Sequence, residues 1–201
     1  MSENPYESPA SIVIDTTVQR PNRLPHRPPS RPIGVSILSV LHFLGGFLLL
    51  AAQALMLANL EAVEESLQII GIPPVLLILG VMFLTVLVFA SAVGMWMGTK
   101  WGWWLAAFYY MYSIFRNATA LYTVLSMADQ LEGAHRGPGY YFAKHSIRII
   151  IHFLLFLYFF KGNVLDFFGL EDIEKGKAVT IIVGICLTIT VVLTGFSFLF
   201  A

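Results

Sequence analysis

Few residues of this chain could do chemistry in an apolar setting. They are Arg116 with Tyr109, Tyr112 and Asn117 near it, and two histidines, His42 and His152. Each lies in an otherwise apolar run. A charged residue at the centre of a membrane helix costs about 2.5–3.5 kcal/mol on insertion scales, so Arg116 must face a partner, a cavity or water. Tyr109, Tyr112, Ser113 and Asn117 stand at helical offsets of seven, four, three and one from it. On a helix that puts them on or near its face. Such a stripe suits an anion, a lipid headgroup or a polar substrate. It equally suits an arginine satisfied by tyrosine hydroxyls and backbone carbonyls, or one reaching outward to Asp129 or Glu132.

His42 and His152 lie at matching depths. Counted from Ile33 and back from Lys161, each is about 13 Å inside the same face at 1.5 Å per residue. Two histidines on different helices can clamp a b-type haem or hold a metal; hydrogen bonding within a bundle is the simpler use. No nucleophile–base–acid set, Gly-rich phosphate loop or paired intramembrane carboxylate is visible, so the chain reads as non-enzymatic, with no cofactor and no metal site assigned. The one cysteine, Cys186, rules out an internal disulfide and reads as a small buried hydrophobe.

The elements that position these residues follow from composition. Of 201 residues 57% are hydrophobic and 12% charged, against roughly 25% charged in a soluble domain. The shortfall is concentrated in long uncharged runs, as in an all-α transmembrane helical bundle. Zero net charge gives no argument for nucleic acid. Residues 1–32 differ: seven of the ten prolines are here, without a periodic apolar face, which predicts a disordered cytoplasmic tail. Arg20, Arg23, Arg27 and Arg31 precede the first apolar run and would hold that tail in the cytoplasm.

The transmembrane domain then occupies 33–201, with spans predicted at about 33–58, 73–98, 103–127, 142–160 and 178–201. Ala52-Gln53-Ala54 resembles a signal cleavage site, but the apolar run is too long and continues past it. Glu61, Glu64 and Glu65 oppose Leu60, Val63, Leu67 and Ile70, which predicts a short surface helix over 59–72. All four tryptophans lie between Gly94 and Trp104, which reads as a tight hairpin held at one membrane face. Phe167 and Phe168 are expected to rest on the bilayer. Ser39, Gly46 and Ala52, and Gly184, Thr188 and Gly195, are expected packing positions. Eight lysines and arginines fall on the N-terminal side of the membrane and two on the other, which puts the N-terminus inside and the C-terminus outside. The fourth span has basic first turns; without it there would be four crossings.

Two stretches carry a resemblance. Arg31-Pro32-Ile33-Gly34-Val35-Ser36-Ile37-Leu38, followed by Gly45-Gly46, resembles the opening helix of a group of small bacterial multi-pass membrane proteins of unassigned activity. Gly98-Thr99-Lys100-Trp101-Gly102-Trp103-Trp104-Leu105 is similar to the hairpin of the same group. The resemblance implies a multi-pass protein of a bacterial inner membrane, usually with about four spans, and carries no catalytic residues.

Three functional readings follow. One is an interaction or assembly component whose partners are the bilayer and other membrane proteins or a second copy. Another is a small transporter or channel with a polar path around Arg116. The third is a haem- or metal-binding protein using His42 and His152.

Overall fold

The computed structural model describes residues 30–61, 74–126, 128 and 137–199. Residues 1–29 of the predicted 1–32 tail and residues 62–72 of the predicted surface helix over 59–72 lie outside them. The described residues are helical, with no strand among them. Five long helices are α1 (Ile33–Ala58), α2 (Pro74–Met97), α3 (Lys100–Ser126), α4 (Pro138–Phe159) and α6 (Lys175–Leu199); α5 (Gly162–Phe167) is a short turn of helix between the last two. Among the described residues, α1, α2, α4 and the Lys175–Val192 part of α6 are long and apolar enough to cross a membrane.

The helix that falls short of that apolarity is α3, not the basic α4 on which the sequence reading placed the weakness. At 27 residues α3 is ample in length. It is the central helix, packed against α2, α4 and α6, and this buries Tyr110, Ser113 and Asn117, while Arg116, Thr119 and Thr123 stay exposed. The largest fully buried side chains lie on it or touch it, including Trp103, Tyr110, Phe159 and Met95.

The α2–α3 hairpin is tighter than predicted. The turn consists of Gly98 and Thr99 alone. The N–H of Gly98 donates to Met95 O at 3.3 Å and that of Thr99 to Gly94 O at 3.1 Å, the paired bonds that close a helix through a left-handed residue. Gly98 supplies that conformation at φ +66°. Thr99 then caps α3, its Oγ1 accepting from the Gly102 N–H at 3.3 Å. One turn on, Gly94 and Gly102 bring the two backbones into contact, leaving no room for a methyl on either. In lipid, where association rests on packing rather than on excluding water, such close approach is what holds helices together.

Two expectations fail here. Trp103 is not an interfacial ring: it is fully buried, and its Nε1–H donates to Phe159 O at 2.8 Å. Trp96 and Trp101 remain exposed. Phe168 is buried rather than lying on the bilayer, and it stacks on Phe159 with centroids 6.2 Å apart. The physical reason is α5, which folds back beneath the hairpin and sets Phe167 over Gly98.

Helices α3 and α4 pair antiparallel in one register. Trp103 meets Phe159, Tyr110 meets His152, and Asn117 meets His145. Each step is seven residues on both helices, the repeat of a supercoiled seam. The α1–α2 pair is bound by Ser39 Oγ–H to Ala92 O at 2.8 Å and Gln53 Nε2–H to Ile78 O at 3.3 Å. Ser39 and Gly46 pack as predicted, Gly46 against the Phe89 ring, but the next seam position is Gln53 and Ala52 is exposed. On α6 the packing edge is Ala178, Ile182 and Cys186, and Gly184 and Gly195 face open space. The seam follows the rotation of the helix against α3, which residue size alone does not indicate.

Candidate functional site

The bundle centre is a hydrogen-bonded chain through His42. Its Nδ1 lies 2.7 Å from Ser91 Oγ and its Nε2 2.9 Å from Tyr110 Oη. Ser91 spends its own proton on Val88 O at 2.9 Å. That fixes the direction of the chain. The Tyr110 hydroxyl donates to Nε2, the imidazole donates from Nδ1 to Ser91, and Ser91 donates to backbone. All three residues are buried. Ser91 cannot act as a nucleophile in this setting, because it is inaccessible and its lone pair receives the imidazole proton.

His152 approaches the same point from α4. Tyr109 and Tyr110 stand between the histidines, with ring centroids 4.8 and 5.4 Å from His42 and 6.3 and 6.1 Å from His152. The structure therefore brings the two histidines to the same pair of tyrosines, and phenol rings separate the imidazoles. His42 commits both nitrogens to Ser91 and Tyr110, and the Nδ1–H of His152 donates to Arg148 O at 2.6 Å. Among the described residues no group of three or more histidine, cysteine, aspartate or glutamate side chains converges as metal ligands.

The predicted polar stripe divides. Asn117 turns toward α4, accepting from His145 Nδ1–H at 2.9 Å and donating to Ser113 O at 2.7 Å. Tyr112 packs between Phe108 and Phe83. Tyr112 keeps the Arg116 charge near its hydroxyl, while Tyr109 and Arg116 both line a cavity of about 290 Å³ between α1, α2 and α3. His42 forms part of its wall; the rest is Leu41, Gly45, Leu48, Leu49, Leu84 and Val88. Leu41 and Leu48 are more than half exposed, so the cavity opens on the membrane-facing side of α1.

The charge balance around this cavity is one-sided. Arg116 on α3 and Lys144, His145, Arg148 and His152 on α4 put five basic side chains along this helix pair. None of the five long helices contains an aspartate or glutamate. Among the described residues no buried side-chain nitrogen or oxygen lacks a partner. Arg116 is exposed, and among the described residues no hydrogen bond or ion pair engages its guanidinium; Asp129 and Glu132, the partners expected from the sequence, lie outside the described residues.

The sequence reading missed Tyr110 and Ser91. Tyr110 has a signal: it lies midway in the seven-residue ladder from Trp103 to Asn117. Ser91 has none, since a serine in a membrane helix more often bonds only its own backbone.

Comparison with known proteins adds no assignment: no protein-family model matches the chain, and no curated protein or solved structure matches it significantly.

Proposed function

We propose that this chain is a non-enzymatic protein of a bacterial inner membrane, crossing it five times with the N-terminus in the cytoplasm, and that it binds a ligand inside the membrane as a small transporter does. The observation that carries this reading is the cavity that places Arg116, Tyr109 and His42 opposite a wall of leucines. Sites of this kind are concave and mostly apolar, with a few convergent polar groups, and begin at about 300 Å³. The five-crossing topology is supported by the lysine and arginine distribution and by the length of α3. The bacterial location rests on the resemblance of the Arg31 and Gly98 stretches.

Hydrogen bonding weighs against the haem and metal reading, because a ligating His42 would have to give up Ser91 or Tyr110. The assembly reading rests on a tail that lies outside the described residues.

The test is to fill the cavity. Gly45 lines it, and a Cβ there meets nothing within 4 Å. A side chain at Gly45 therefore starts into open space, and Gly45→Leu reaches into the cavity. Native mass spectrometry of the full chain, extracted gently from its own membrane, is expected to show retained small-molecule or lipid mass in the wild type and its loss in Gly45→Leu at unchanged thermal stability. Equal retention by both proteins would overturn the reading.

A further inference from the structure

Resting on that reading, we infer that the ligand of the Arg116 cavity is an anionic amphiphile: a phosphate-bearing lipid whose headgroup is held by Arg116 and whose hydrocarbon lies along Leu41, Leu48 and Leu49.

Three observations converge on this class. The first is electrostatic. Arg116 and Arg148 stand at similar depth on adjacent helices, since the α3–α4 register sets Ile114 opposite Arg148 and Arg116 two residues further along. The long helices supply no carboxylate to offset them. Two guanidinium groups on apolar helices without a carboxylate call for counter-charge, and an anion brought from outside the helices provides it. The planar guanidinium fork matches the oxygens of a phosphate.

The second is shape. One side of the cavity is aliphatic and reaches the membrane-facing surface through Leu41 and Leu48. A volume of about 290 Å³ suits a headgroup and a few methylenes. The remainder of a chain would continue over α1 among the surrounding lipids. A fully hydrated anion would leave the leucine wall without a partner, and a purely apolar ligand would leave Arg116 without one.

The third is the state of the other polar groups. Ser91, Tyr110 and Asn117 are all satisfied within the protein, and His42 has no ring nitrogen to spare. Recognition at the polar end of the cavity falls to Arg116, with Tyr109 in the same wall. Arg116 is therefore a binding residue, and His42 is a positioning residue that holds Tyr110 and the cavity wall in place.

The experiment is lipid retention by the full chain in detergent, read by native mass spectrometry after loading with phosphatidylglycerol or with phosphatidylcholine of the same acyl chains. At about 1 kcal/mol for each basic side chain near a lipid phosphate, phosphatidylglycerol should be retained about fivefold over phosphatidylcholine. Arg116→Leu should abolish that preference, and Arg116→Lys, which keeps the charge, should preserve part of it. A large excess of inorganic phosphate should not displace the lipid; displacement would mean that the anion alone is the ligand and would overturn the amphiphile assignment. Equal retention of the two lipids by the wild type, or a preference untouched by Arg116→Leu, would also overturn it. Gly45→Leu separates the two levels. If it expels both lipids while headgroup charge has no effect, the cavity reading stands and the anionic assignment falls. If it expels neither, the cavity reading itself falls.

Discussion

The hydroxyl of Tyr110 on α3 donates to Nε2 of His42 on α1 across 2.9 Å, at a point where both side chains are buried. This bond joins the α1–α2 pair to the α3–α4 pair. Because Ser91 of α2 receives the other imidazole nitrogen at 2.7 Å, one histidine ties three helices together.

Tyr110→Phe keeps the ring and removes the donor. His42 Nε2 would then be a buried acceptor without a proton, at a cost of about 1–3 kcal/mol. A lowered midpoint in thermal or denaturant unfolding of the detergent-solubilised protein is expected. An unchanged midpoint would mean that the bond contributes nothing to cohesion of the bundle.

At the hairpin, Gly94→Ala and Gly102→Ala should each destabilise, because either methyl meets the backbone of the facing helix. Overpacking of this kind costs about 1–3 kcal/mol or more. Gly80→Ala is the control: nothing lies within 4 Å of its Cβ, and alanine favours the helix by about 1 kcal/mol. Unfolding curves of the three variants should rank Gly80→Ala at or above wild type and the other two well below it.

Trp103→Phe tests the buried indole. It removes the N–H donated to Phe159 O and shrinks a side chain that has no exposed surface. The orphaned carbonyl alone costs about 1–3 kcal/mol. If the ring acted only as an interfacial anchor, phenylalanine would serve nearly as well and the unfolding midpoint would hardly move.

Asn117→Leu breaks the bond that sets His145 against α3. Interhelical hydrogen bonds in membrane proteins average about 0.6 kcal/mol, so a small loss is expected. The informative readout is the α3–α4 register: cysteines placed at positions 114 and 148 should still cross-link in the variant, because Trp103–Phe159 and Tyr110–His152 keep the alignment. Loss of the cross-link would show that Asn117 alone sets it.

Arg31 makes a smaller, testable contribution. Its Nη2 donates to Trp96 O at 2.6 Å, and the guanidinium lies 4.5 Å from the Trp96 ring centroid. A cation at a helix C-terminus is worth about 0.3–1 kcal/mol at an exposed site. Arg31→Gln should lower stability by that amount and change the fluorescence of the exposed Trp96; Arg31→Lys should recover the charge but not the planar stacking.

Local rules decided much of this protein. Hydropathy runs place the long helices to within a few residues, because in lipid an apolar run must satisfy its own backbone and the helix does so within one segment. Gly98 at the turn is likewise legible in residue type and spacing, whereas α4 begins at Pro138, four residues ahead of the predicted span. What the sequence could not decide is rotation and contact. Whether Trp103 lies at the interface or in the core depends on which face α3 turns to α4. Whether Asn117 belongs with Arg116 or with His145 depends on an angle of about 100° between successive helix positions. Ser91 and Tyr110 became partners of His42 only when three helices were brought side by side. Those choices are made by packing among helices that are distant in sequence, and a one-dimensional pattern of apolar and polar residues does not encode them.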